Sequence, residues 1–407
     1  MTSWDVQLPP SFSLDVNGTR IQDDVGRMVK SIRYTDATDG ADVLELTLDD
    51  PTLWLVDSKI FAEGNVVDLF LGYGHVNRFV GRVLIWEPPR ASAPRNGRPS
   101  TTVIGHSATR WLMESSKKKK GRRIGSAETR TSAANREADQ ETVGIIAWDY
   151  GFKAQADRTQ QKRKAIKRKG KSDWQLLKDM ARLNGFRVWC EWIPENLAGQ
   201  WNLCFLKPGN QPRRPRDLRP GQYEFFWGVD ETTQNNRLLD WSASFSTQAG
   251  ASEVEVLRYD RKTYSYARYI ARLEQKGRSH LFYGPKGNEL SKEEITTGSR
   301  VLFTAFGRQL HVIRDRPFAN DAEALEYARS WLGRNSLSFI HLQGTVPGLP
   351  DLRKYTKQKI TGVPARLAGE YEFFDIVHEL NEGSGYTCRF SARRAEDIGL
   401  DMSAFRV

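Results

Sequence analysis

The chain has 407 residues, 39% of them hydrophobic and 11% aromatic, with a net charge of +11. Such a length supports about two to four domains with real cores, and such a composition excludes a disordered chain. No apolar run approaches the roughly 18 residues that a membrane-spanning helix needs. The start, Met1-Thr2-Ser3-Trp4-Asp5, lacks the basic and apolar regions of a secretion signal. The charge is local: residues 117–123 carry six basic side chains, residues 158–171 carry eight, and neither stretch contains an acid. The rest of the chain is near neutral, which excludes a uniformly basic nucleic-acid coat.

Residues 12–110 read as β-structure. Asn17-Gly18 between apolar neighbours is a two-residue hairpin signal. Leu44, Leu46 and Leu48 alternate with polar residues, as in a half-buried strand. Residues 66–71, 79–86 and 101–104 add further strands, and together these short strands suggest a barrel or sandwich. Residues 115–136 are basic, rich in Ser, Thr and Ala, and read as an exposed loop. A helix follows over about 141–150, stopped by Gly151. A second begins at a Ser172-x-x-Gln175 capping box, carries Trp174, Leu177 and Ala181 on one face, and ends at Gly185. Residues 187–192 and 201–206 form a hairpin with Pro194 and Gly199 in its loop. The Pro/Arg-rich stretch 208–221 reads as an exposed linker containing Arg213, Arg214 and Arg216.

Strands are expected at 238–245 and 253–259, and residues 262–318 have no clear pattern. Asn320 and Glu323 cap a helix that ends at Gly333. The tail returns to strands at 337–346, 357–361, 370–380 and 386–391, with Gly383-Ser384-Gly385 turning the last pair. The order is therefore β, then α+β, then β with an inserted segment. The fold class is α+β, mainly β.

No phosphate-binding glycine loop, dinucleotide fingerprint or zinc-protease motif is present. The six histidines, His75, His106, His280, His311, His341 and His378, are scattered without metal-ligand spacing, so His341 and His378 read as structural residues. Nothing selects a carboxylate pair for glycoside chemistry. No catalytic residue, cofactor or metal is assigned. Cys190, Cys204 and Cys388 form no disulfide framework, which fits synthesis in a reducing cytoplasm. Cys190 and Cys204 flank the hairpin and read as buried apolar residues.

The segment 169–186 (KGKSDWQLLKDMARLNGF) resembles the "GxSDWxFLxxLAxxNGF" helix of the phage late control D family. That family includes baseplate hub proteins and the hub part of VgrG spikes. Residues 140–152, 344–352, 369–380, 385–390, 63–73 and 79–83 are similar to further family segments, in family order. The chain departs from the family at 350–360, where the expected "LxPGxxV" is blurred, and in its longer basic loop. The resemblance implies two similar tube-like β-barrels, at 1–112 and at 221–262 with 319–398. It also implies an α+β domain with the basic loop at 113–220, an insertion at 263–318 and a tail at 399–407.

The implied function is mechanical. A homotrimer joins the hexameric tail tube to a trimeric central spike, within the virion tail baseplate, and is made in the bacterial host cytoplasm. Tape measure and baseplate wedge proteins are the further partners expected. No specific nucleic-acid binding is implied, although DNA passes through such a channel. The basic residues Lys117, Lys118, Lys119, Lys120, Arg122, Arg123, Lys162, Arg163, Lys164, Lys167, Arg168 and Lys169 are the candidate docking loops for acidic partners. Two alternatives stand beside the hub: a tail-associated cell-wall hydrolase, and a DNA-binding protein using residues 117–171. Aromatics do not alternate with the charges there, as single-strand stacking would require.

Overall fold

The computed structural model describes residues 8–114, 137–159, 162–163, 171–194, 199–228, 236–245, 251–260, 264–273, 279–284, 288–294, 307–314, 318, 321–337 and 340–394. The first β-region opens with β1 (Pro10–Val16) and β2 (Thr19–Arg20). Asn17 and Gly18 between them both have positive φ, +52° and +81°, the hairpin turn expected of an Asn-Gly pair. Next come α1 (Asp23–Arg27), β3 (Val29–Asp36), β4 (Val43–Asp49) and α2 (Trp54–Asp57). Strands β5 (Val66–Tyr73), β6 (Val76–Ile85), β7 (Arg90–Ser92), β8 (Ser100–His106) and helix α3 (Thr109–Glu114) complete the region. Leu44, Leu46 and Leu48 are buried, as the alternation required. Gly72 lets the β5–β6 hairpin close, because a Cβ there would lie 1.8 Å from the carbonyl oxygen of Val76.

The middle module contains β9 (Glu137–Ala138), α4 (Asp139–Asp149), β10 (Lys153–Ala156), β11 (Lys162–Arg163), α5 (Asp173–Asn184), β12 (Arg187–Ile193) and β13 (Gln200–Leu206). At the start of α5, Ser172 Oγ accepts from the Gln175 amide at 3.2 Å, and Gln175 Oε1 accepts from the Ser172 amide at 3.3 Å. Gly185 ends the helix at φ +69°. Val143, Trp174, Leu177, Met180, Val188, Leu203 and Phe205 form one core between the helices and the β10–β13–β12 sheet. Cys190 pairs with Leu203 and Cys204 with Trp189, so successive positions send the two buried thiols to opposite faces.

Beyond it lie β14 (Glu224–Phe226), β15 (Asp240–Phe245), β16 (Glu253–Asp260), β17 (Ser265–Leu273), β18 (Ser279–Tyr283), β19 (Glu289–Glu294), β20 (Leu310–Ile313) and α6 (Asp321–Leu337). Residues 263–318, unassigned from sequence, hold β17 to β20. These join β16 in a five-stranded sheet of order β19–β18–β17–β16–β20. Strand β16 and helix α6 were grouped by sequence with the second β-region. They pack here instead, because Val254 and Val256 bury their face with Tyr269, Phe282, Ala324, Ala328 and Leu332. Helix α6 runs past Gly333 to Leu337, so that glycine costs some helix stability without ending the helix.

The last strands are β21 (Ile340–Pro347), β22 (Lys357–Thr361), β23 (Gly369–Asn381) and β24 (Gly385–Arg394). The fold is α+β and mainly β. The two β-regions are halves of one 14-stranded sheet, of path β15–β21–β24–β23–β3–β4–β8–β6–β5–β1–β2. Hydrogen bonding among the described residues closes neither half into a barrel. The halves join where β23 pairs antiparallel with β3, from Ile376↔Asp36 to Asn381↔Ser31. Val67, Leu69, Tyr73, Leu342, Val346, Phe373 and Phe390 belong to one continuous core.

Candidate functional site

The chain brings its three modules together around residues 348–356, the crossing between β21 and β22. Lys354 lies at the centre, with its side chain only 5% exposed. Its Nζ donates to Asp36 Oδ1 at 2.8 Å, to Asp42 Oδ1 at 2.7 Å and to the Ala37 carbonyl at 2.8 Å. Its backbone N–H donates to Asp36 Oδ2 at 3.0 Å. Asp36 ends β3 and Asp42 precedes β4, so one lysine from the C-terminal region closes the β3–β4 loop of the N-terminal region.

The electrostatics follow from one buried cation facing two buried carboxylates. Burial opposes the charge on Lys354, but Asp36 and Asp42 outweigh it and hold the ammonium well above its usual range. Burial also opposes the charge on Asp36, where Lys354 prevails and lowers its pKa. Asp42 carries the excess: burial, reinforced by Asp36, pushes it up to about 7 against the pull of Lys354.

Neighbouring residues extend the junction into the middle module. Tyr355 holds φ +61°, a left-handed conformation that costs a non-glycine residue about 1–3 kcal/mol. Its ring packs 4.9 Å from Trp189 and 4.7 Å from the Arg187 guanidinium, which is ion-paired with Glu372. Arg353 donates to the Phe79 carbonyl at 2.7 Å. Beside these groups a cleft is lined by Tyr34, Arg82, Trp192, Arg214, Asp351 and Arg353. Arg82 forms a two-pronged pair with Asp68, both bonds at 2.5 Å, while its guanidinium lies 3.7 Å from the Trp192 ring centre.

Lys354 with Asp36 and Asp42, and Arg187 with Glu372, pair buried charges from separate parts of the chain, so the chemistry of the junction is that of a clasp. Among the described residues, no group of three His, Cys, Asp or Glu side chains is placed to hold a metal. Burial pushes Cys190 and Cys388 up to about 12, which keeps both as thiols at neutral pH. His378 is buried with Nδ1 2.8 Å from the Tyr386 hydroxyl, and burial pushes it down to about 3. It is a structural residue, as expected.

The basic docking residues from Lys117 to Arg123, together with Lys164, Lys167, Arg168 and Lys169, lie outside the described residues. The backbone of Lys162 and Arg163 pairs with Ala138 and Glu137 at the entrance to α4. Arg214, expected in an exposed linker, has a side chain only 8% exposed and pairs with Glu191 at 2.6 Å. A buried guanidinium needs an acceptor, and Glu191 on β12 supplies it. Arg213 and Arg216 are exposed, as expected. Sequence reasoning missed the clasp itself, because Lys354 lies more than 300 positions from Asp36 and Asp42 and no local pattern links them.

No family model and no curated protein sequence matches the chain. Solved structures do. The tail protein from Neisseria meningitidis MC58 superposes with a TM-score of 0.60 at 12% identity, over 95% of this chain and 96% of that one. The chain has the fold of a tail protein. The 43 kDa tail protein of prophage MuSo2 from Shewanella oneidensis gives 0.56 at 12% identity, over 95% and 98%. The tail-protein part of the expectation from the sequence motifs agrees with these likenesses.

Proposed function

We propose that the chain is a structural hub of a phage-type tail baseplate, assembling as a homotrimer between a hexameric tail tube and a trimeric spike. The observation that carries this reading is the end-to-end fold likeness. About 95% of the chain, with both β-regions and the middle module, follows two tail proteins. A clasp built from buried ion pairs between modules suits a load-bearing part, since it specifies one relative placement of the modules. Tape measure and wedge proteins are the further partners, with the basic loops of residues 117–123 and 162–169 as docking points for acidic surfaces. Among the described residues, no helix is long and apolar enough to cross a membrane.

Negative-stain electron microscopy of the purified chain, alone and co-expressed with a trimeric spike protein from the same genome, tests the proposal. Threefold particles with a central hole are expected. Particles that stay monomeric in both preparations refute it.

A further inference from the structure

The clasp of Asp36, Asp42 and Lys354 sits beside the β3–β23 pairing that joins the two halves of the long sheet. Groups held this closely can do more than attract one another. A lysine and a carboxylic acid are also an amine and an acyl group, and their condensation gives an amide and one water. In bulk water at neutral pH both partners are ionised, which suppresses the reaction.

The geometry of the clasp removes the obstacles one by one. Lys354 Nζ lies 2.7 Å from Asp42 Oδ1, which puts it at most about 4 Å from the carboxyl carbon. The Ala37 amide donates to the same Oδ1 at 3.0 Å, so it faces the charge that grows there when the carbon is attacked. Asp36 Oδ1, 2.8 Å from Nζ, is within reach to take a proton from the amine. The reacting groups are held from behind. The Asp42 amide donates to Ser107 Oγ at 2.9 Å, the Ser107 amide donates to the Asp42 carbonyl at 2.9 Å, and the Lys354 amide donates to Asp36 Oδ2 at 3.0 Å. All three side chains are buried, and the cleft that Asp36 and Asp42 help to line gives a released water its exit.

Burial also selects the protonation states. Asp42, pushed up to about 7, is the acid that can stay neutral, while Asp36 is kept as a carboxylate. With the ammonium, the cluster then has no net charge, which is what a low-dielectric site favours. The two acids hold Lys354 as an ammonium, so the reaction is slow and begins with proton transfer to Asp36.

We infer that Lys354 Nζ condenses with the Asp42 carboxyl after folding, and that the isopeptide bond ties the β3–β4 loop to the crossing between β21 and β22. The ammonium passes one proton to Asp36. The free amine attacks Asp42 Cγ, and Oδ1 takes the negative charge against the Ala37 amide. Asp36 returns its proton to the departing hydroxyl, which leaves as water, and accepts the surplus proton from the new C–N group. Nζ ends with one hydrogen, and Asp36 ends as a neutral acid. The ion-paired clasp is the form the chain has on folding, and the bond then closes a loop of 312 residues across the two halves of the sheet. One folded chain suffices for this, so the inference stands or falls separately from the hub.

Intact-mass spectrometry of the full chain, taken fresh and after prolonged incubation, should show a species lighter by one water that grows with time. Trypsin should release a branched peptide joining residues 34–59 to residues 354–357, because an acylated lysine is not cut, and fragmentation should place the branch on Asp42. On a denaturing gel the closed-loop form should run ahead of the open chain. Lys354→Arg keeps the cation and should form no such species. Asp36→Ala keeps the acyl group but lacks the proton acceptor, and should slow the reaction by about a hundredfold or more.

A folded wild-type chain that keeps its full mass after incubation overturns the inference, whatever the variants do. Loss of water without the branched peptide is the mark of ring closure at Asp39-Gly40 and overturns it as well. So does a branch on any carboxyl other than Asp42, or an Asp36→Ala chain that cross-links at the wild-type rate.

Discussion

Replacing Lys354 by Met tests whether the clasp holds the modules together. Met nearly matches the aliphatic stem in volume, so little cavity cost is expected. What is lost is the ammonium and its three bonds to Asp36, Asp42 and the Ala37 carbonyl. Two buried carboxylates are left without a cation, and breaking a buried pair in this way costs about 3–5 kcal/mol. The cost should depend on pH. Asp42 already binds its proton more tightly folded than unfolded, with a pKa of about 7 against 3.8. Its contribution to stability is therefore full below the unfolded value and lost as pH rises through the folded one. Without Lys354 both aspartates follow this course, so the deficit of the variant should grow between about pH 5 and pH 8. Guanidinium unfolding followed by tryptophan fluorescence reads the effect, since Trp189 and Trp192 flank the junction. Adding Asp36→Asn and Asp42→Asn to the variant should recover about half the loss or more, because no charge is then buried unpaired. A Lys354→Met protein within about 1 kcal/mol of wild type, or a deficit that is flat with pH, refutes the reasoning.

Three further outcomes are expected. Glu372→Gln leaves the buried Arg187 facing a neutral amide and weakens Arg393 as well, so the unfolding free energy should fall by about 3 kcal/mol in the same assay. Gly348→Ala places a Cβ 2.1 Å from the Tyr386 ring, and the forced shift of this buried ring should lower stability by about 1–3 kcal/mol or more in thermal unfolding. His378, depressed from 6.5 to about 3, favours the folded state above its unfolded pKa, and that contribution is lost as pH falls through the folded one. In an acid titration followed by circular dichroism, His378→Leu should flatten the decline below about pH 6.5, at a cost of about 1–3 kcal/mol at neutral pH from the lost bond to Tyr386.

What could be read from the sequence was what is local. The Asn17-Gly18 turn, the Leu44–Leu46–Leu48 alternation, the Ser172–Gln175 box and the Gly185 stop each depend on residues a few positions apart, and each was found where expected. The spacing within residues 173–184 predicted a capped amphipathic helix for the same reason, while the tail-protein fold was implied only by the resemblance of residues 169–186 to the family motif. Tertiary structure decided what is distant. Strand β16 reads like any other strand, and only its partners β17 and β20 place it in the five-stranded sheet under α6. The linker arginine Arg214 became a buried ion pair because Glu191 lies across from it. Asp36, Asp42 and Lys354 look like surface charges in sequence. The fold buries them together, and low dielectric then makes them one another's counter-charges.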